Sequence, residues 1–161
     1  MEETRRWFWK ACDKYGFPFG SLFKLLLISA QRRLEVGEMT YGELSLVDKI
    51  WRIPARRTKN GQEHAVPLST AALAIISSLP QIVGEQDHVF TTTGRAPVSG
   101  YSKAKAKIDL EMLRLAREEA EERGDDIEGV KIARWTLHDL RRTAASEMAG
   151  LRVDLPTILV R

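Results

Sequence analysis

The stretch that follows Trp135 has the residue types and spacing of an anion-binding site. His138 and Arg141 are three residues apart, so on a helix they share one face. Thr136 and Asp139 have the spacing of a capping box, which predicts that a helix begins here. Backbone N–H groups and the helix dipole favour an anion at such a start, and an imidazole beside a guanidinium suits a phosphodiester. The plainer interpretation is a surface histidine beside arginines.

Two other basic segments are candidates for the same site. Arg32 directly follows a buried apolar stretch that would hold it in place, and Glu35 is near enough in sequence to orient its guanidinium. Lys59 belongs to the sequence Arg-Arg-Thr-Lys-Asn-Gly, in which Asn-Gly predicts a hairpin, and a lysine on a hairpin tip can reach a ligand at the sheet edge. Taken singly, the first is a surface pair of little energetic value and the second is a solvated turn lysine.

The elements that must position these residues are helices and a small sheet. Apolar periodicity and capping residues predict helices at 4–14, 22–30 with Ser21 as its cap, 70–79 with Ser69 as its cap, 102–123 with Gly124 at its end, and 136–150. Short β-compatible runs at 43–48, 49–55 and 63–68 predict a three-stranded antiparallel meander. The sequence therefore predicts an α+β fold, mostly helical with a small three-stranded antiparallel sheet, in a single domain over residues 1–161.

Composition restricts the chemistry. The lone cysteine, Cys12, excludes an internal disulfide and a cysteine-based zinc cluster, and His64, His88 and His138 lack metal-ligand spacing. We therefore expect neither a metal nor another cofactor. The sequence has no apolar run long enough to span a membrane and no secretory signal, which predicts a cytoplasmic protein. A formal net charge of +3 is only mildly basic and does not by itself establish nucleic-acid binding.

Taken together, the segments resemble the tyrosine recombinases of the phage integrase family. The resemblance rests on the order of three motifs: Ala-Gln-Arg32-Arg-Leu-Glu35, the Lys59 hairpin, and His138-Asp-Leu-Arg141-Arg-Thr. Intervening phrases are also similar to bacterial integrases: Trp-Arg-Ile-Pro from 51, His-Ala-Val-Pro-Leu-Ser from 64, Val-Phe-Thr-Thr from 89 and Pro-Val-Ser-Gly from 97. The similarity runs from about position 7 to the last residue and implies the tyrosine recombinase catalytic-domain fold. At the first position of the first motif, Ala30 stands where the family usually has glycine.

The resemblance implies site-specific DNA recombination, or DNA integration, through a phosphotyrosine intermediate. Arg32 and Arg141 would bind the nonbridging oxygens of the scissile phosphate, where two permanently charged guanidiniums take the place of a metal. His138 would accept a proton or bind an oxyanion, Lys59 would protonate the 5′-oxygen leaving group, and Glu35 would support Arg32. The implied partners are double-stranded DNA and other recombinase protomers.

Further cations are candidates for contact with DNA phosphates: Arg57, Lys103, Lys105 and Arg142. The two lysines belong to the predicted helix at 102–123, for which an ordinary solvated amphipathic helix is the simpler interpretation.

The resemblance places the nucleophilic tyrosine after the His138 motif. Tyr15, Tyr41 and Tyr101 all precede that motif and match no nucleophile position. We therefore expect a partial catalytic domain, without the N-terminal core-binding domain and the C-terminal nucleophile segment of the family, that binds DNA and does not cleave it. The apolar segment 153–160 would then be exposed and would promote self-association.

Two other functions remain open at this point. A non-catalytic DNA-binding or regulatory module could retain the integrase fold, and substitution of Arg32 or Arg141 would then change DNA affinity alone. An unrelated helical regulator could place the helix 136–150 in the major groove of DNA. In that case the Arg32 and Lys59 motifs would be coincidences.

Overall fold

The computed structural model describes residues 2–150 and forms two compact units, each assembled from two stretches of the chain. The first unit contains residues 2–24 together with Ser99–Trp135. The second unit contains Leu25–Val98 together with residues 136–150. The segment 153–160, for which an exposed apolar patch is predicted, lies outside the described residues.

Helices dominate the described chain. They are α1 Glu2–Tyr15, α2 Phe19–Ser29, α3 Arg33–Gly37, α4 Thr70–Ser77, α5 Tyr101–Arg123 and α6 Leu137–Gly150. The strands are β1 Leu44–Ser45, β2 Ile50–Ile53 and β3 His64–Pro67, and they form one antiparallel sheet in the order β1-β2-β3. The predicted α+β class, mostly helical with a small three-stranded antiparallel sheet, is confirmed. None of the helices in the described part of the chain is long and apolar enough to cross a membrane.

In the first unit, α1 packs against α5. The buried side chains of α5 recur at helical spacing, which is how an amphipathic helix covers a core: Ala104, Ile108, Met112, Ala116 and Ala120. Cys12 on α1 belongs to the same core, and burial raises the pKa of its thiol to about 12, so it is inert. Gly20 allows the backbone to approach closely, because a Cβ there would lie 2.0 Å from the carbonyl oxygen of Cys12.

In the second unit, the sheet has one covered face. Trp51 and Ile53 on β2 are fully buried, whereas Arg52 between them is exposed. Val66 on β3 is the register partner of Trp51 and is also buried. This alternation is expected of an antiparallel strand that buries one face. The indole N–H of Trp51 donates to Glu43 at 2.9 Å, so its one polar group is satisfied.

Two predicted helix caps and the predicted hairpin differ in how well they match the structure. Ser69 caps α4 by accepting a hydrogen bond from the backbone of Ala72 at 3.2 Å, as predicted. Ser21 does not cap α2, because that helix begins at Phe19. The β2–β3 connection is longer than the tight hairpin that Asn-Gly favours, since a 3-10 helix occupies Ala55–Arg57 before the turn.

Candidate active site

Arg32 stands at the N-cap of α3, where its extended backbone leads into the helix. Its backbone N–H donates to Glu35 Oε2 at 2.8 Å, and its Nη1 donates to Glu35 Oε1 at 2.8 Å. Glu35 is only 4% exposed. One buried carboxylate therefore holds both the backbone and the guanidinium of Arg32, and such a charge is too costly to leave unpaired.

Arg141 reaches the same place from α6. Its Nε donates to the carbonyl oxygen of Ala30 at 2.9 Å, two residues before Arg32 in the sequence. Ala30 is fully buried and has a φ of +57°, in the left-handed region that glycine occupies without strain. The departure from the family's glycine thus falls where the backbone turns sharply after α2 and presents a carbonyl to Arg141.

The two guanidiniums influence each other electrostatically. Burial, and then the positive charge of Arg32, lowers the pKa of Arg141, while the carboxylate of Glu35 opposes this change. An anion bound by both arginines would relieve their repulsion and supply acceptors for their N–H groups. Arg32, Glu35 and Arg141 are named the guanidinium cluster below.

His64 is a neighbour of the guanidinium cluster that no sequence motif assigned to the site. It begins β3, opposite Ile53 on β2, and is half-buried. Burial is the main cause that lowers the pKa of His64; Glu35 raises this pKa, and Arg32 and Arg141 lower it. All three cluster charges therefore act on its imidazole. The His-Ala-Val-Pro phrase is one of the segments similar to bacterial integrases, so the sequence offered a signal for His64. Only the pairing of β3 with β2 brings this histidine to the arginines.

His138 occupies the first turn of α6 and is exposed to solvent. The predicted capping box is present: the backbone N–H of Thr136 donates to Asp139 Oδ2 at 2.8 Å, and that of Asp139 donates to Thr136 Oγ1 at 3.3 Å. The hydrogen bonds from Thr136 lower the pKa of Asp139. His138 thus shares a helix with Arg141, and its proposed role in proton transfer stays a prediction.

Lys59 lies on the turn between β2 and β3 and is exposed. Within residues 2–150, no hydrogen bond or ion pair joins its ammonium to the guanidinium cluster. Lys103 and Arg142 are also exposed, and Arg142 Nη1 lies 3.9 Å from Asp139 Oδ1. Their predicted contacts with DNA remain predictions.

Two of the predicted DNA contacts have other partners. Arg57 is only 11% exposed; its guanidinium pairs with Glu43 and donates to the carbonyl oxygen of Glu35 at 2.6 Å. Lys105 pairs with Asp109 at 2.6 Å and lies 4.1 Å from the ring centre of Trp135. The structure thus favours a bracing role for Arg57 over contact with DNA, because both of its Nη groups donate to protein acceptors.

Among the described residues, no group of three or more histidine, cysteine, aspartate or glutamate side chains could hold a metal ion.

Comparison with known proteins identifies the family. Residues 7–160 match the sequence profile of the phage integrase family. This chain belongs to that family. Part of it is 35% identical over 69 residues to the prophage integrase IntA of Escherichia coli strain K12, covering 43% of this chain and 17% of that protein. Part is 32% identical over 79 residues to the integrase of enterobacteria phage P4, covering 42% of this chain and 18% of that protein. The matched segments thus span less than a fifth of either relative.

The fold of this integrase-family chain is similar to the crystal structure of XerA recombinase. The TM-score is 0.64 at 15% sequence identity, and the match covers 98% of this chain and 52% of that chain. The tyrosine recombinase fold and family inferred from three sequence motifs are therefore confirmed.

Proposed function

We propose that these residues form the larger part of a catalytic domain that binds the scissile phosphate in site-specific DNA recombination or integration. One observation carries the proposal: Arg32 and Arg141, which are far apart in sequence, meet beside one short segment and are held there by Glu35 and by the Ala30 carbonyl. Two guanidiniums held in fixed positions beside one segment are suited to stabilise a phosphorane-like transition state without a metal. The integrase names of the relatives support the same function.

The proposed chemistry is a transesterification. A tyrosine oxygen attacks phosphorus and forms a 3′-phosphotyrosyl bond, while the bond to the 5′-oxygen breaks and that oxygen takes up a proton. Arg32 and Arg141 would bind the two nonbridging oxygens. His138 would accept the tyrosine proton or bind the oxyanion, and Lys59 would protonate the leaving group. The ester conserves the bond energy, so the exchange requires no ATP.

The nucleophile would have to be a tyrosine other than the three in this sequence. Tyr15, Tyr41 and Tyr101 all precede the His138 motif. Burial raises the pKa of Tyr41, which opposes formation of a reactive phenolate. A tyrosine supplied by another segment would complete the site.

The partners that this proposal requires are double-stranded DNA and further recombinase protomers, acting in the cytoplasm. Self-association through the apolar segment 153–160 is part of the same proposal. Light scattering over a range of concentrations tests it, and a monomer mass that does not change with concentration would contradict it.

DNA binding can be tested with the chain as it is. In fluorescence anisotropy with a labelled duplex, Arg32→Ala and Arg141→Ala are each expected to weaken binding by about tenfold. The slope of log affinity against log salt should fall by about one for each phosphate that the variant no longer binds. Arg95→Ala is the control, because Arg95 is exposed and lies outside the cluster. Binding without a salt slope, or an equally weakened control, would contradict the proposal.

Catalysis requires a second experiment. The chain is extended at its C-terminus with a segment that carries a family-type histidine and tyrosine, and it is incubated with a nicked duplex that traps the covalent intermediate. We expect a protein–DNA adduct on a denaturing gel that disappears in Arg32→Ala and Arg141→Ala. The alternative, a non-catalytic DNA-binding module with this fold, predicts weaker binding in both variants and no adduct in any chain.

A further inference from the structure

The first unit contains a groove that the proposed reaction does not use. It has a volume of about 760 Å³ and is lined by α5 and by the segment 128–135. Apolar side chains contribute much of the lining: Leu110, Leu113, Val130, Ile132 and Trp135. Leu110 is 68% exposed, which is unusual for a leucine with apolar neighbours. A smaller depression shares Leu110 and Leu113 and continues to Ile127. The whole feature is named the α5 groove.

The α5 groove carries unpaired positive charge. Arg117, Lys131 and Arg134 line it and are exposed, and within the described chain none of them forms an ion pair. The other two arginines of α5 are paired: Arg114 with Glu111 and Glu118, and Arg123 with Glu119 and Glu3. The three cations without an ion pair leave positive charge at the groove, where it would attract an acidic partner.

The rest of the lining indicates what kind of acidic partner fits. Two carboxylates also line the groove, and that of Asp109 pairs with Lys105. The apolar side chains favour protein side chains over a nucleic-acid backbone, which has little apolar surface to bury against them.

We propose that the α5 groove binds a segment of a partner protein that combines apolar and acidic side chains. The apolar side chains would cover Leu110 and Leu113, and the acidic ones would pair with Arg117 and Lys131. A volume of about 760 Å³ is sufficient for a few side chains. None of the lining residues belongs to the guanidinium cluster, so this interaction is independent of the proposed reaction.

The test measures binding of fluorescein-labelled synthetic peptides to the 161-residue chain by anisotropy. The probe is a peptide of five Leu-Glu repeats, and the comparison peptides are five Leu-Lys and five Ser-Glu repeats. We expect binding of the Leu-Glu peptide alone, weakened by about tenfold or more in Leu110→Ser and in the double variant Arg117→Glu with Lys131→Glu. All three positions line an open groove, so these variants are expected to fold, which circular dichroism verifies.

Matched controls separate the groove from general surface effects. Val47→Ser replaces another exposed apolar residue, 93% exposed, and Lys10→Glu replaces an exposed lysine on α1; neither should change peptide affinity. Equal binding of the Ser-Glu peptide, or equally weakened binding in the controls, would overturn the proposal. It would also be overturned if the groove variants left peptide binding unchanged and weakened either duplex DNA binding or association between copies of the chain.

Discussion

The guanidinium cluster and the α5 groove both present positive charge, but they hold it in opposite ways. In the cluster, Arg32 is held by the buried carboxylate of Glu35 and Arg141 by a backbone carbonyl. In the groove, Arg117 and Lys131 are exposed, and no described residue pairs with them. Cations that must act on a transition state need fixed positions, whereas cations that attract a partner can stay solvated until it arrives.

The two sites also differ in the residues that support them. Arg57 supports the guanidinium cluster, because its guanidinium pairs with Glu43 and also donates to the carbonyl oxygen of Glu35 on α3. The α5 groove has an apolar lining and no comparable brace among the described residues. Substitutions at the cluster should therefore affect stability as well as binding, whereas substitutions in the groove should affect binding alone.

The largest effect is expected at Arg57. Arg57→Ala should lower the free energy of unfolding by about 3 kcal/mol, because it leaves the nearly buried carboxylate of Glu43 without its cationic partner. Urea denaturation followed by tryptophan fluorescence measures the change. Arg56→Ala is the matched control on the adjacent exposed residue, and Arg117→Ala is the control in the groove; each should change stability by less than about 0.5 kcal/mol. If Arg56→Ala and Arg57→Ala destabilised the chain equally, a cation paired with a nearly buried carboxylate would contribute no more to stability than a solvated one, and the prediction would be wrong.

A smaller, pH-dependent effect is expected at His64. Because its folded pKa lies below the ordinary value of 6.5, the unfolded chain takes up this proton first as pH falls. The contribution of His64 to stability is therefore favourable above pH 6.5 and declines as pH falls from there through the folded pKa. Substitution by Gln should abolish this decline, so His64→Gln should become more stable relative to the parent chain as pH falls.

The measurement for His64 is the difference in urea midpoint between His64→Gln and the parent chain from about pH 8 to pH 5, the range in which histidine titrates. Taking the difference cancels titrations common to both chains. Arg117→Gln in the α5 groove serves as the comparison and should give a constant difference. A difference for His64→Gln that is equally constant would mean that the folded pKa of His64 is not lowered, and would contradict the prediction.

The smallest effect is expected for Ala30→Gly, with Ala30→Val as its contrast. A left-handed backbone costs an L-residue about 1–2 kcal/mol, and glycine avoids this cost but lacks the buried methyl group and has more chain entropy in the unfolded state. Ala30→Gly should therefore change the free energy of unfolding by less than about 1 kcal/mol. Ala30→Val should destabilise the chain by more than about 2 kcal/mol, because a β-branched residue tolerates this conformation poorly and would be overpacked. Thermal denaturation of both variants measures the two effects. Equal melting temperatures for Ala30→Gly and Ala30→Val would contradict the prediction.

Sequence signals predicted the fold well where both partners of an interaction lie within a few residues of each other. Ser69 caps α4, Thr136 and Asp139 cap α6, and Gly124 ends α5 with a φ of +76°. The Asn-Gly signal was less reliable, because the tertiary contacts of Arg57 draw the β2–β3 connection into a longer loop. Ser21 was a misleading capping signal, since α2 begins two residues earlier, at Phe19.

The sequence by itself determined the order of the charged motifs, the family and the starts of α4 and α6, because each depends on neighbours within a few residues. Only the tertiary structure brought His64 to the charges of Glu35 and Arg141, and only it turned Arg57 from the hairpin tip towards Glu43. These pairings join residues from separate elements. Their formation depends on strand register and on which faces are buried, and neither is encoded in the spacing of any single motif.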